Sequence, residues 1–429
     1  MVSWSQPAKD TCAACIEETI RYHVVGSPCV RQIEEEGGVY SMKTKQDSTT
    51  LHHEGWNRLL QEALDQLMAT KGVHHAVMAA ESLDGSFHWT SAAGMAQTDG
   101  TPMESSTPFW IASITKIFIA ATVLKLQESE MLSIDNTVSS YLPDGMLKGV
   151  HVVKGVDYGD KLTLRHLLCH ASGIADYLEI KDTNGKTMVD RMEEGDGSPW
   201  QIEDILETVR NANQPLFAPQ IFTNKSYKAR YSDTNYQLLI AVIEQVTKKP
   251  VAQVFSDMLF MPLGLLHTAH PGEATLEPAP PAAAVWIGKK SFQPDQPLMR
   301  AFGDLNSNTQ DLITFMRALL TGRVFEKPDT LGLMMDRWQM LRFALSPITP
   351  SWPIAYGMGM MRFHLPRFMT PFTPVPPFIG HSGAVGSWLF YCPSLDMIFS
   401  GTVGQATAAA APFRMTARLV VHMEKALQQ

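Results

Sequence analysis

Ser113 and Lys116 have the spacing of a nucleophile and its base. A serine followed three residues later by a lysine, at the head of a helix, places a hydroxyl and an amine one turn apart on the same face. The hydroxyl becomes a good nucleophile only when a neighbour removes its proton, and a lysine can do so only if its pKa is depressed. The apolar run 117–124 predicts a helix buried on all faces, which would desolvate Lys116. Because Ser-x-x-Lys is also common on solvated helix faces, the tetrapeptide alone indicates catalysis only weakly.

Two later stretches carry side chains that could complete such a site. Tyr231-Ser232-Asp233 precedes a helix with an apolar side, and His381-Ser382-Gly383 lies in a strand-like stretch near the C-terminus. Each has an ordinary structural interpretation, because a tyrosine at a helix start can be a core residue and a strand histidine can be bonded by backbone. Three such motifs at plausible separations make coincidence improbable.

The elements that must position these motifs form a sheet at the two chain ends and helices between them. Strands are predicted at 75–82 and 86–93, as a hairpin, and at 379–387, 389–392 and 397–403. Helices are predicted at 53–68, 113–131, 161–173, 202–212, after 233, and at 308–320, 329–341 and 412–427. The fold class is therefore α/β of the α+β type: an antiparallel sheet built from both chain ends, flanked by helices, with an inserted mainly helical region.

The chain divides into an N-terminal extension at residues 1–53 and one domain at 54–428. The sheet part of the domain is expected at about 54–110 and 300–428, and the helical part at about 111–299. Residues 176–200 are polar and lack an apolar period, so we expect an inserted surface segment there. The proline-rich segment 366–377 is expected to be extended and cannot be a central strand.

Composition excludes several classes of function. The 429 residues are 45% hydrophobic, enough for a large core, and the net charge of −8 argues against a nucleic-acid partner. No run of eighteen apolar residues predicts a membrane span, and the first thirty residues lack the apolar core of a signal peptide. We therefore expect a cytoplasmic location and a small-molecule ester or amide as the partner, whereas the oligomeric state stays open.

Two spacings that could bind metal have better structural interpretations. Cys12 and Cys15 form a C-x-x-C pair, but no second pair follows it. His166 and His170 are four residues apart, but the glutamate of a zinc-protease helix is missing between them. The sequence therefore predicts no metal and no cofactor, with reduced thiols and structural histidines.

Taken together, the motifs resemble the penicillin-recognising serine hydrolases, in the branch of class C β-lactamases, D-alanyl-D-alanine peptidases and family VIII carboxylesterases. The resemblance covers about residues 54–428 and implies a β-lactamase-like fold. The motifs that carry it stand in the order typical of the family: Ser113-Ile-Thr-Lys116, Leu164-Arg-His-Leu-Leu-Cys-His-Ala-Ser-Gly173, Tyr231-Ser-Asp233, the weaker Tyr356-Gly-Met-Gly359, and His381-Ser-Gly383.

The resemblance implies a role for each catalytic candidate. Ser113 would form an acyl-enzyme, Lys116 would be its buried amine partner, and Tyr231 would shuttle the proton. The backbone amides of Ser113 and Ala384 would form the oxyanion hole, where such donors typically contribute about 2.7–4 kcal/mol each. Asp233 stands where the family more often has asparagine; an aspartate favours a charged Lys116 and places more of the proton transfer on Tyr231.

The substrate-facing strand also departs from the β-lactamase pattern. His381-Ser382-Gly383 falls where β-lactamases usually have Lys-Thr-Gly, which weakens the case for binding a β-lactam carboxylate. The peptidase branch also uses His-x-Gly. Our leading hypothesis is a carboxylesterase on small acyl esters. The alternatives are a D-alanyl-D-alanine peptidase or D-amino-acid amidase with weak β-lactamase activity, an acyltransferase, and a non-catalytic scaffold on the same fold.

Overall fold

The structure is a computed structural model that describes residues 45–195, 198–223, 226–341, 353–365, 370 and 373–427, with side chains from residue 53 onward. Residues 46–429 form one compact unit. The Cys12–Cys15 pair, most of the extension predicted at 1–53 and half of the segment 366–377 lie outside the described residues.

Within these described residues, eight strands form one antiparallel sheet, in the spatial order β2-β1-β8-β7-β6-β5-β4-β3. The strands come from the two chain ends, as predicted, which confirms the α/β fold class. Their bounds are β1 His75–Ser82, β2 His88–Gly94, β3 Gln339–Met340, β4 Ile354–Tyr356, β5 Met361–Phe363, β6 Phe378–Ser382, β7 Ser387–Cys392 and β8 Met397–Thr402. Three short two-stranded ladders pair Phe109–Trp110 with Asn306–Ser307, Val152–Val153 with Val156–Asp157, and Val285–Ile287 with Lys290–Phe292.

Helices cover both faces of the sheet, and most of them lie in the part of the chain between strands β2 and β3. Their bounds are α1 Lys45–Met68, α2 Thr115–Glu128, α3 Leu164–Leu168, α4 Met188–Glu194, α5 Ile202–Ala212, α6 Asp233–Thr247, α7 Val251–Phe255, α8 Met261–Leu263, α9 Pro297–Arg300, α10 Thr309–Leu320, α11 Thr330–Met335 and α12 Ala411–Leu427. Among the described residues, no helix is both long and apolar enough to cross a membrane.

The sheet separates two hydrophobic cores. Every residue of β1 is buried, and alternate side chains point to opposite faces. Met78 packs in the core under α1 and α12, whereas Val77 packs in the core shared with α2 and α10. A strand covered on both faces must be apolar on both, which explains its continuous apolar sequence.

Helix α2 runs through the second core. All residues from Thr115 to Leu124 are buried, and the Phe118 ring stacks on Phe315 of α10 with ring centroids 3.8 Å apart. Because this helix is buried on every side, it has no polar face, as the apolar run predicted. The buried helix fixes the position of the residues at its N-terminus.

Gly359, in the β4–β5 connection, allows the sheet to approach α2 closely. Its φ is +73°, and an added Cβ would lie 2.5 Å from the Ala120 Cβ and 2.7 Å from the Lys116 carbonyl oxygen. We expect Gly359→Ala to lower the free energy of unfolding by about 2–4 kcal/mol, from overpacking and backbone strain together. Gly145→Ala is the matched control, because Gly145 has a φ of +74° and open space around it. That control should cost about 1 kcal/mol; equal losses in urea unfolding would contradict the close-approach argument.

The segments 329–341 and 176–200 differ from their predictions. The helix predicted at 329–341 is wrong beyond Met335, because Gln339–Met340 pairs with β4 as the edge strand β3, a contact that only the tertiary fold provides. The segment 176–200 is also not simply a surface insertion. It contains α4, and its apolar residues are buried although they are too widely spaced to form a period: Tyr177, Ile180, Met192 and Trp200.

Candidate active site

A strained turn presents Ser113 at the start of α2. Ser113 lies in a single 3₁₀ turn, Ala112–Ile114, and not inside the helix as predicted. Ala112 is buried with a φ of +48°, a left-handed conformation that costs a non-glycine residue about 1–3 kcal/mol and persists only where its surroundings hold it. Ile111 provides that support, since its N–H donates to the Leu305 carbonyl at 2.9 Å and its carbonyl accepts from the Ser387 hydroxyl at 2.8 Å.

Lys116 lies between the serine and a carboxylate. Its Nζ donates to the Ser113 Oγ at 3.2 Å and to the Asp233 Oδ1 at 2.5 Å. The lysine side chain is 4% exposed, and its Nζ is 5.1 Å from the Tyr231 ring centroid and 5.4 Å from that of Tyr236. The structure thus brings together Ser113, Lys116, Tyr231 and Asp233 from two distant parts of the chain.

The charge on Lys116 differs from the simple expectation of a depressed pKa. Burial by itself would lower the pKa of Lys116, but the Asp233 carboxylate outweighs it, with help from Tyr231 and Asp304, and the pKa rises well above its usual value. The expectation that burial would make this lysine a ready base is therefore wrong. The charged lysine agrees with the effect expected of an aspartate at position 233.

Tyr231 lies two residues before the start of α6, and its hydroxyl is close to Ser113 and Lys116. The hydroxyl oxygen is buried and makes no hydrogen bond of ordinary geometry within the described residues. Burial raises the pKa of Tyr231 far above its usual value, and the neighbouring Lys116 ammonium and Ser113 hydroxyl lower it only in part. The phenol therefore carries its proton in this state and is close enough to both neighbours to exchange it.

Two further carboxylates lie in electrostatic range of this group, and neither was singled out from the sequence. Burial raises the pKa of Asp304 to about 7, against the attraction of Lys116. Burial and the nearby Asp233 also raise the pKa of Asp176 well above its usual value. Asp304 is held beside α2 because the Leu305 N–H donates to the Thr115 hydroxyl at 3.0 Å. No local pattern marks either aspartate, so only the proximity of Asp304 to Lys116 and of Asp176 to Asp233 identifies them.

His381 lies on β6 but is completely buried. Its Nδ1–H donates to the Ser382 carbonyl at 2.8 Å, and its Nε2 lies 3.3 Å from the Tyr356 hydroxyl. Burial, reinforced by the Lys116 charge, lowers the pKa of His381 to about 3. At neutral pH this residue is therefore uncharged and provides no cation in place of the lysine of the β-lactamase motif.

The rest of the β6–β7 turn passes directly beside the Ser113 turn. A Cβ on Gly383 would lie 2.7 Å from the Ile111 carbonyl oxygen and 3.0 Å from the Ala112 Cβ, so only glycine fits there. Ser382 is partly exposed and Ala384 is exposed. This placement is compatible with the predicted oxyanion and substrate contacts of Ser382, Gly383 and Ala384, which stay predictions.

The remaining motif residues have structural contacts. The His166 Nδ1 accepts from the Thr163 N–H at 3.0 Å, and its Nε2–H donates to the Gln220 carbonyl at 2.7 Å. Within the part of the chain that the structure describes, no group of three or more histidine, cysteine, aspartate or glutamate side chains could hold a metal ion.

His75, far from Ser113 in sequence, makes the stability of the fold sensitive to acid. Burial lowers the pKa of His75 to about 4, below its unfolded value of 6.5. The unfolded chain therefore binds more protons between these pH values, so the stability from neutral His75 falls as the pH falls, by about 2 kcal/mol between pH 7 and 5. Buried carboxylates such as Asp304 change the stability in the opposite direction as the pH falls. The contribution of His75 is therefore obtained by comparing wild type with His75→Leu, by denaturant unfolding at both pH values. Identical pH dependence in the two proteins would contradict this prediction.

The comparisons with known proteins agree with this fold. A family model named Beta-lactamase matches residues 60–416. The chain therefore belongs to the β-lactamase family, among the penicillin-recognising serine hydrolases.

Individual relatives include several kinds of protein. Penicillin-binding protein 4* of Bacillus subtilis is 28% identical over 48% of this chain and 40% of its own length. Esterase EstB of Burkholderia gladioli is 29% identical over 48% of this chain and 49% of its own length. A solved D-stereospecific amidohydrolase from Streptomyces sp. superposes with a TM-score of 0.62 and 27% identity over 82% of this chain and 95% of its own. The chain spans about half the length of the curated relatives it matches.

Proposed function

We propose that this protein is a carboxylesterase that hydrolyses small acyl esters through an acyl-enzyme on Ser113. The observation that carries the proposal is the continuous contact from the Ser113 Oγ to the Lys116 Nζ at 3.2 Å and on to Asp233 at 2.5 Å, with the Tyr231 hydroxyl beside it. This is the arrangement that nucleophilic catalysis requires, with a hydroxyl next to groups able to take its proton.

The proton inventory defines the active form. At neutral pH Lys116 is an ammonium and Tyr231 a phenol, so neither accepts a proton. The pair must first lose one proton, and two groups in such close contact titrate as a unit. The deprotonated pair then takes the Ser113 proton as the Oγ bonds to the ester carbon, and returns it to the departing alkoxide when the C–O bond breaks. In the second half of the reaction the pair takes a proton from water, and the hydroxide so formed attacks the acyl carbon. When the bond from the acyl carbon to the Ser113 Oγ breaks, the pair returns that proton to the Oγ and the carboxylic acid leaves.

The charges around Ser113 favour an uncharged ester over a carboxylate-bearing substrate. Lys116, the cation that is hydrogen-bonded to Ser113, already forms an ion pair with Asp233. His381 is buried and uncharged, so it cannot neutralise the carboxylate of a β-lactam or of a D-alanyl-D-alanine peptide. Likeness to the esterase EstB agrees with this preference. The likeness to the D-stereospecific amidohydrolase supports an amidase as the second candidate.

A substrate panel with chemical labelling tests the proposal. Purified protein should be labelled at Ser113 by a fluorophosphonate and should hydrolyse nitrophenyl acetate and butyrate faster than a chromogenic cephalosporin, a D-Ala-D-Ala peptide or a D-amino-acid amide. Stable acylation by penicillin with negligible ester turnover would favour the peptidase instead. Transfer of the acyl group to an added alcohol in preference to water would favour an acyltransferase. Absence of labelling would favour a scaffold without catalytic activity.

A further inference from the structure

His170 lies against Tyr231 but outside the Ser113–Lys116–Asp233 contacts. It is completely buried just after α3, and its φ is +53°, a left-handed conformation that few residues other than glycine adopt. A buried residue keeps such a conformation only when its surroundings hold it there.

His170 contacts three consecutive residues of the segment that carries the phenol. Its carbonyl accepts from the Arg230 N–H at 2.9 Å, and its Nδ1 accepts from the Ser232 N–H at 3.2 Å. Between these two bonds, its ring packs on the Tyr231 ring with centroids 4.4 Å apart. One residue therefore holds the backbone on both sides of Tyr231 and one face of its ring.

The hydrogen bonds also define which nitrogen of His170 carries the proton. The Nδ1 accepts from the Asn235 side-chain amide at 3.0 Å as well as from the Ser232 N–H. The orientation of that amide follows from Ser172, whose hydroxyl donates to the Asn235 Oδ1 at 2.7 Å. Two N–H groups directed at one nitrogen require it to be unprotonated, so the proton is on Nε2. Burial, with Lys116 and His381 nearby, lowers the pKa of His170 well below its usual value and keeps the ring neutral.

We infer that His170 is the positioning residue of Tyr231. Its neutral Nδ1 accepts a hydrogen bond from the Ser232 N–H and its ring packs against the Tyr231 ring, and together these contacts hold the phenol hydroxyl beside Ser113 and Lys116. This inference rests on the proposed function, in which Tyr231 exchanges the proton of Ser113. A proton carrier must stay within hydrogen-bond reach of its partner, and a displacement of about 1 Å costs on the order of 100-fold in rate.

Two substitutions separate the ring from the acceptor. His170→Phe keeps an aromatic ring against Tyr231 but removes the acceptor. His170→Asn offers an amide oxygen near the place of Nδ1, and asparagine tolerates the left-handed φ. We expect His170→Phe to lower the single-turnover rate constant of Ser113 acylation by nitrophenyl acetate about 100-fold. In steady-state kinetics the loss should appear mainly in kcat and not in KM. His170→Asn should recover part of the loss.

A double-mutant cycle gives the decisive readout. In a Tyr231→Phe background, where there is no phenol hydroxyl to position, His170→Phe should change the acylation rate by less than about threefold. Equal losses in both backgrounds would overturn the inference, because they would indicate a general structural effect. His75→Leu, which removes another completely buried imidazole, is the matched control and should leave acylation unchanged.

The outcomes separate this inference from the proposed function. If the wild-type protein is not acylated at Ser113, both fail. If the wild type is acylated and Tyr231→Phe is slow but His170→Phe is not, the positioning role alone fails. Circular dichroism and thermal unfolding check that each variant folds, and the His170→Asn cycle with Tyr231→Phe decides the question if His170→Phe does not fold.

Discussion

Ester turnover is expected to fall by about 10⁴-fold or more when Ser113 is replaced by alanine, because the nucleophile that forms the covalent intermediate is lost. The fold should survive, since Ser113 is only partly buried and the neighbouring turn is held through Ile111 and not through the serine hydroxyl. The measurement is steady-state hydrolysis of nitrophenyl acetate, with mass spectrometry of the intact protein after a rapid acid quench. The acetyl adduct, 42 Da in the wild type by the mass of the group, should be absent from Ser113→Ala.

Ser129→Ala is the matched control for this experiment. Ser129 follows the C-terminal end of α2, and its hydroxyl donates to backbone carbonyls of that helix, away from the Lys116 amine. Its removal should leave turnover and the adduct unchanged. Undiminished hydrolysis by Ser113→Ala would show that another group performs the reaction and would eliminate the proposed mechanism.

Replacing Asp233 with asparagine should move the pH dependence of kcat/KM to lower pH. The Asp233 carboxylate raises the pKa of Lys116 well above its usual value, so its removal lets the buried ammonium lose its proton at lower pH. A single opposite charge at this range typically shifts a pKa by about 1–3 units, so the acid limb of the profile should move down by about one unit or more. Activity at pH 7 would then be a larger fraction of the maximal activity than in the wild type.

The stability of Asp233→Asn provides a second readout of the same charge. If Lys116 kept its proton, a buried cation without its partner would cost about 3–5 kcal/mol; loss of the proton avoids part of this cost. We therefore expect the destabilisation relative to wild type to diminish as the pH rises toward 10. Denaturant unfolding of both proteins at pH 7 and pH 9.5 measures this difference.

The pH profiles need a control and a correction for neighbouring groups. Asp257→Asn removes the carboxylate of another aspartate–lysine pair, Lys249 Nζ to Asp257 Oδ2 at 2.7 Å, which is largely exposed and should leave the profile unchanged. Besides Asp233, the titratable groups shown to interact with Lys116 or to lie close to it are the following: Tyr231, Asp304, His170, Tyr177, Tyr236 and His381. Asp304→Asn, measured in parallel, identifies any limb near pH 7 that belongs to Asp304. A profile of Asp233→Asn that stays in place or moves to higher pH would contradict the role given to the ion pair.

Much of the fold follows from periodicity in the sequence. The apolar run of β1 and the apolar run 117–124 of α2 reflect burial that each segment must find, whatever packs on it, so both could be predicted locally. The helix predicted at 329–341 failed for the opposite reason, because Gln339–Met340 gains its hydrogen bonds from a strand that lies later in the chain. The buried side chains of 176–200 were missed because their spacing follows the surface they cover and not a helical or strand period.

The sequence by itself determined which residues could react. Ser113 and Lys116 are three positions apart in the chain, which keeps them near each other in any turn or helix, and the Tyr231 and His381 motifs could be recognised as partners from their resemblance to the family's motifs and their order. Only the tertiary structure decided the protonation states of these residues and the side chains that hold them in place. Lys116 is an ammonium because Asp233, 117 positions away, is 2.5 Å from it, Asp304 titrates near neutrality because the fold buries it beside that pair, and His170 contacts Tyr231 because α3 ends against the start of α6. A pKa depends on burial and on charges through space, and neither quantity is encoded in local spacing.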